Sequence, residues 1–523
     1  MGGDIAHIGY LFFVVRPDPE KSPLHHDGES ATQRDEWHNY EWVALSVTTV
    51  GALLASIQGS ALLIALPNIL ASLDAQFLTI MWVLLSYLLI TTACVPVVGR
   101  LADIWGRKKL FNAGFAVFTL GSLMAGLSQP QFHGADLVAA RVIQGLGAAL
   151  LFTNSTAIVA DAFRHGRIGL GLGTNQIAAA AGFLLGPVVG GLLTAVSWRW
   201  VFLANVPLGV FGTIWGIARL REPITPRRAQ SFDWAGSLTF TFGLGSFLLG
   251  LSMIAFPLLG TLFVEAAVVL GAVLLGAFFV VEILEPQPML DLRLFRRRDF
   301  AFACAAGALN GLARGAVLFV LIFFLQGPYG KDPLVAGLLL TPFGAAFMLV
   351  GPVSGYLSDH FGARGLATIG LGVSGVALLG LATIRVDTPY WQIAVFMVLM
   401  GGGSGLFSSP NTNALMSAVS PNERGSASGI YTMLNNTGQM LSIVVAFPLV
   451  LSRIPEDVMY RVFLYGGGMS SSPAALAAFE GGVHEAFLVS FAITAVAVVV
   501  SALRPSHRTR RLPERADLPA PAE

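Results

Sequence analysis

Any chemistry in this chain has to come from a few polar residues set in long apolar runs. Arg141 stands in "RVIQGLGAAL" beside Gln144, Arg314 in "NGLARGAVLF", Gln58 in "SIQGSALLIALPNI" and Glu265 in "TLFVEAAVVL". A guanidinium at the centre of a membrane helix costs at least ~2.5–3.5 kcal/mol on insertion scales, so each arginine is expected to face a cavity or a partner. If both face a central cavity, its potential is positive and favours an anionic or zwitterionic amphipath over a lipophilic cation. Two further groups carry charge at the ends of apolar runs: "GRLADIWGRKKL", with Gly99, Asp103, Gly106, Arg107 and Lys108, and "GYLSDHFGAR", with Gly355, Asp359 and Arg364. A carboxylate placed like Asp103 can accept hydrogen bonds from a helix N-terminus and pair with Arg107. That is the chemistry of a latch between conformations. No Ser-His-Asp set, phosphate-cradling loop or metal-ligand cluster is written in the chain, which argues against an enzyme and an ATP-driven pump, and no cofactor is expected. Cys94 and Cys304 sit in apolar runs without a CxxC partner, so neither a disulfide framework nor a metal site is indicated.

The elements that position these residues are membrane helices. The chain is 54% hydrophobic and 12% charged, about half the charged share of a soluble protein, and its mean hydropathy is +0.70. A helix needs about 20 apolar residues to cross the hydrocarbon. Fourteen such runs begin near residues 43, 78, 109, 135, 168, 200, 233, 260, 299, 333, 366, 390, 424 and 483. The ~10-residue alternating segments of a β-barrel are absent. Basic residues fix the orientation. With both termini cytoplasmic, inner connections hold Arg100, Arg107, Lys108, Lys109, Arg219, Arg221, Arg293, Arg296 and Arg364, among others, while outer ones hold only Arg199, Lys331, Arg385, Arg453 and Arg461. A cleavable signal peptide is not expected, because the short apolar stretch at 8–15 lacks a basic start.

The two charged groups repeat a pattern: glycine, three residues, aspartate, two residues, glycine, then arginine, each after an even-numbered span. Two matching half-proteins follow. The division expected is a cytoplasmic tail over 1–41, a six-helix bundle over 42–222, two inserted linker helices over 223–290, a second six-helix bundle over 291–503 and a cytoplasmic tail over 504–523.

These motifs resemble the major facilitator superfamily and, within it, the fourteen-span drug:proton antiporters of the EmrB/QacA type. The resemblance runs from about residue 43 to 503. "GRLADIWGRKKL" is similar to the family's loop motif. "RVIQGLGAAL" matches its span 4 pattern through Arg141, Gln144, Gly145 and Gly147. "GFLLGPVVGG" looks like the exporter motif of span 5 through Gly182, Gly186, Pro187, Gly190 and Gly191, and "WRWVFLANVP" opens span 6 as in fourteen-span members.

The resemblance implies an all-α polytopic membrane protein with two six-helix bundles and two inserted helices. It further implies a secondary exporter of amphipathic small molecules in the cytoplasmic membrane, working by alternating access and coupled to protons. The expected partners are that substrate, protons and membrane lipids; nucleic acid is not a partner and the chain is expected to be a monomer. In the family the loop cluster bridges the halves, and the span 5 glycines, bent at Pro187, are expected to form a rocking interface between them. Arg141 admits a second reading as a structural hub serving span 1. One departure stands out: the family's usual span 1 aspartate is Gln58 here, and its following asparagine is Leu63. The remaining acids are Glu265, the clearest at membrane depth, and Asp161, Glu282 and Glu285 near cytoplasmic ends. Export of an endogenous anionic or lipid-like metabolite and a transport-inactive receptor are the competing readings.

Overall fold

The computed structural model describes residues 31–163, 168–222, 233–255, 260–285, 288, 290, 292–419, 424–451 and 473–505. They form an all-helical molecule, as hydrocarbon demands when every backbone N–H and C=O must be satisfied within its own segment. The first half comprises α1 (Ala31–Leu73), α2 (Phe77–Trp105), α3 (Arg107–Gly126), α4 (Ala135–Ala162), α5 (Ile168–Val196), the one-turn α6 (Trp200–Leu203) and α7 (Asn205–Arg219). Two helices follow, α8 (Trp234–Ala255) and α9 (Thr261–Leu284). The second half comprises α10 (Arg298–Arg314), α11 (Val317–Gln326), α12 (Pro333–Leu339), α13 (Thr341–Phe361), α14 (Ala363–Leu381), α15 (Tyr390–Ser417), α16 (Arg424–Leu451) and α17 (Pro473–Ala502).

Among the described residues, eleven helical stretches are long and apolar enough to cross a membrane. Three of them are broken runs, α6 with α7 over Trp200–Arg219, α10 with α11 over Arg298–Gln326 and α12 with α13 over Pro333–Ser358. Helices α3, α5 and α16 stand where the third, fifth and thirteenth apolar runs begin.

The packing repeats between halves. In the first, α1 lies against α5, and α4 against both α2 and α3; in the second, α10 lies against α16, and α15 against both α13 and α14. The connecting turns repeat as well. Gly106 (φ 99°, ψ 135°) joins α2 to α3, and Gly362 (φ 86°, ψ 143°) joins α13 to α14. A side chain is strained at that φ, so each repeat places glycine where a zero-length helix turn requires it. Upstream, Gly99 faces Thr153 of α4, and Gly355 faces Ser409 of α15. Helices α8 and α9 pair with each other, and α8 reaches both halves, touching α2 and α16.

Two expected boundaries shift. Helix α1 begins at Ala31, with Tyr40 and Glu41 already buried, because no proline or glycine interrupts the run between 31 and 50. The Tyr40 hydroxyl donates to Arg221 O at 3.2 Å and accepts from Arg221 N at 3.0 Å, tying that start to the end of α7. At the other end of the chain α17 starts ten residues before the expected run, at Pro473, and carries Glu480, His484 and Glu485 into the helix.

Candidate functional site

The two halves are sealed against each other at one end of the molecule. Helix α12 begins with Pro333 against α5, and the approach is backbone to backbone: a Cβ on Gly191 would stand 2.7 Å from Pro333 O, and one on Gly337 would run into Pro187 O. Gln326, the last residue of α11, donates from Nε2 to Ile64 O of α1 at 3.0 Å. The glycines of span 5 therefore divide by face. Gly182, Gly186 and Gly190, four apart, face Leu53, Ser56, Ser60 and Ala61 of α1, inside the first half. Gly191 and Pro187, about 100° around the helix from Gly190 and Gly186, meet the second half. The expectation that the whole stripe is an interface between halves is corrected accordingly.

At the opposite end lies the loop motif. Gly106 ends α2, and the free N–H groups of the first turn of α3 point at Glu222, whose two carboxylate oxygens accept from Arg107 N and Lys108 N at 3.0 Å each. A Cβ at Gly106 would lie 2.7 Å from Glu222 Oε2, so the glycine also makes room for the carboxylate. An acid at a helix N-terminus is stabilised by both hydrogen bonds and the helix dipole. The Arg107 guanidinium pairs with Asp161 Oδ2 at 2.6 Å and reaches Ala157 O at 3.4 Å, both on α4. Glu222 and Asp161, which hold this turn, belong to the same half as Arg107. The side chains of Asp103 and Asp359 lie outside the described residues. Arg364 is exposed in the first turn of α14.

Arg141 is enclosed and partnered. Only 1% exposed, it donates from Nε to Val83 O at 2.9 Å and from Nη1 to Gln144 Oε1 at 2.5 Å, and its Cζ lies 4.0 Å over the Tyr87 ring. Gln144 in turn donates to Ser122 Oγ at 2.7 Å, and Tyr87 donates to Ala55 O at 3.2 Å. One guanidinium joins α2, α3 and α4, and reaches α1 through Tyr87. A side chain so enclosed faces no cavity, which removes Arg141 from the expected positive cavity.

Gln58 is fully buried and accepts from Asn205 Nδ2 at 2.6 Å. Asn205 is the asparagine of "WRWVFLANVP", placed at the first residue of α7 by the break after α6. Its partner's Nε2 is buried without an acceptor among the described residues. The position of the family's usual acid is thus held by a neutral amide pair.

Arg314 lacks the partners that Arg141 has. It closes α10, sixteen residues into the broken run Arg298–Gln326, or about 24 Å from its start at 1.5 Å per residue. There the ladder is interrupted: Ala316 N donates to Ser442 Oγ of α16 at 3.0 Å. Arg314 is half-buried, its Nε is buried without a hydrogen-bond partner, and no described carboxylate pairs with it.

Glu265 stands exposed in the second turn of α9, inside the apolar stretch Thr261–Leu284 and away from the packed faces. Several contacts escaped sequence reasoning because nothing local marks them. Asp233 caps α8 through Gly236 N at 2.7 Å, Glu282, expected only near a cytoplasmic end, accepts from Leu290 N at 2.9 Å, and both carboxylates crowd Gly236. Glu480 accepts from Val386 N at 2.7 Å, and the His484 ring lies 2.7 Å from Ile384 O, pinning the loop after α14 to α17. Arg504, expected in a tail, is 4% exposed and reaches Asn411 Oδ1 at 3.4 Å. Burial pulls its guanidinium below the ordinary arginine value, and the Asp299 carboxylate opposes that shift.

Two repeated bundles of apolar helices meeting at a helix–helix seam, with buried charge inside, are the architecture of a polytopic transporter. The Major Facilitator Superfamily profile matches residues 48–443 and again 303–522. The chain belongs to that superfamily. It is 29% identical over 400 residues to the riboflavin transporter RibZ of Clostridioides difficile, covering 76% of this chain and 85% of that one. It is 32% identical over 410 residues to the multidrug resistance protein Stp of Mycobacterium tuberculosis, covering 77% and 74%. In fold it resembles the solved nucleoside transporter NupG, with a TM-score of 0.59 at 15% identity over 88% of this chain and 98% of that one.

Proposed function

We propose that this transporter is a fourteen-span exporter of amphipathic small molecules in the cytoplasmic membrane, working by alternating access with protons as the coupling ion. The observation that carries the reading is the seam: Gly191 and Gly337 let α5 and α12 touch at backbone distance at the end opposite the loop motif. A contact made by missing side chains can part without leaving buried polar groups unpaired, as a gate requires. With the loop motif on the cytoplasmic side, the sealed end is the outer one. The loop motif then acts as the inner latch. Glu222 and Asp161 hold the first turn of α3 and Arg107 in one shape, and Asp103 and Asp359 supply the charge that meets the opposite half. The drug-resistance relative supports the substrate class, and Gln58 moves the coupling proton away from span 1.

The test is flux in proteoliposomes. A fluorescent amphipathic dye should move against its gradient when an inward proton gradient is imposed, and collapse of the gradient should stop it. Uphill movement that ignores the pH gradient removes proton coupling. Absence of all protein-dependent flux leaves the receptor reading.

A further inference from the structure

Arg314 is a half-buried cation whose Nε has no hydrogen-bond partner, and no described carboxylate pairs with it. Helical geometry says which way it faces. At 100° per residue, Ala303, Gly307, Asn310 and Gly311 lie within 60° of Arg314 around α10, and all four are buried. The exposed Ala305 is nine residues back, 180° away. The partial exposure of Arg314 therefore opens into the protein and not onto lipid. The wall beside it is polar: Tyr431 lies against Gly307 and within electrostatic reach of Arg314, while Asn435 donates to Gly307 O at 2.9 Å and accepts from Gln439 Nε2 at 2.7 Å. Gly311 and Gly315 bring α10 against the α16 backbone at Asn435 and Gln439, so these side chains border the same break in the helix.

We infer that Arg314 receives the oxyanion head of the transported amphipath, a sulfonate or carboxylate. An unpaired guanidinium in a low-dielectric site is costly, and a bidentate oxyanion is the ligand whose geometry its fork of N–H donors matches. In the first half, Arg141 is already engaged with Val83 and Gln144, and Gln58 and Asn205 are neutral. Broken helices at mid-membrane are where transporters of this architecture gather polar recognition groups. The inference rests on the exporter reading and adds the sign of the substrate's charge.

Decanesulfonate and decyltrimethylammonium test it, since both carry permanent charges on equal tails. Binding is read by intrinsic tryptophan fluorescence on the full chain purified in a neutral maltoside detergent. Decanesulfonate should bind at least tenfold tighter, Arg314→Gln should erase that preference, and Arg314→Lys should keep part of it. Equal or tighter binding of the cation by the unmodified protein, which needs no variant to fold, overturns the assignment. So does a folded Arg314→Gln protein whose decanesulfonate affinity stays within twofold. Proteoliposome flux separates the two claims: a binding preference without flux of either probe removes the exporter and keeps the anion site, whereas flux without preference does the reverse.

Discussion

Replacing Gly337 with alanine adds one methyl group at the seam, where its Cβ meets Pro187 O, a backbone atom that cannot rotate away. Overpacking of this kind costs about 1–3 kcal/mol in a well-packed interface. The cost falls on the sealed state alone, because the contact joins α12 to α5 across the halves, so the equilibrium shifts by about 5- to 150-fold toward the state in which the seam is open. The matched control is Gly190→Ala, in which the added methyl meets Ala61 of α1 inside the first half. A strain of similar size there persists in both states and should lower thermal stability without moving the balance. The assay is maleimide labelling of a cysteine introduced at Leu334, beside Gly191, in a background lacking Cys94 and Cys304. Gly337→Ala should accelerate labelling severalfold over its parent, and Gly190→Ala should not. Equal labelling of both, with normal expression, would refute the idea that the α5–α12 contact is a gate.

Arg141→Lys should lower the detergent melting temperature markedly and reduce expression, because an ammonium cannot reproduce the bond to Val83 O, the bond to Gln144 and the stack on Tyr87 together; breaking such a buried charge costs about 3–5 kcal/mol. Glu222→Gln should speed hydrogen exchange at the Arg107 and Lys108 amides about fivefold, the kinetic image of a cap weakened by about 1 kcal/mol. Asp103→Asn and Arg107→Ala should abolish dye flux while leaving membrane insertion largely intact; full flux in both variants would take the latch out of the mechanism. Gln58→Glu should make binding of decyltrimethylammonium depend on pH where the parent protein's does not, with tighter binding at the alkaline end, since only the ionised form attracts the cation.

How much was legible in the sequence depends on the range of the interaction. The runs that begin near 78, 109, 135, 168, 200, 260, 299 and 333 anticipate helices starting within two residues of those points, because in hydrocarbon the local requirement for apolar side chains and closed backbone hydrogen bonds nearly suffices. The paired loops were legible too, since the turn at Gly106 and its counterpart at Gly362 need a residue that tolerates positive φ, and that need is written at a fixed distance from each aspartate. Family membership followed from the same local motifs. What the sequence left open are contacts between residues far apart in the chain. Arg141 and Arg314 read alike in one dimension, each an arginine in an apolar run; tertiary packing makes one a hydrogen-bonded hub and leaves the other half-buried with its Nε unpartnered. Glu222 meets the start of α3 only because α7 returns beside it, 115 residues later. The span 5 glycines could not be divided between α1 and α12 until both helices were in place. Local free energy chooses the elements, and the function of each buried charge is chosen by which elements pack around it.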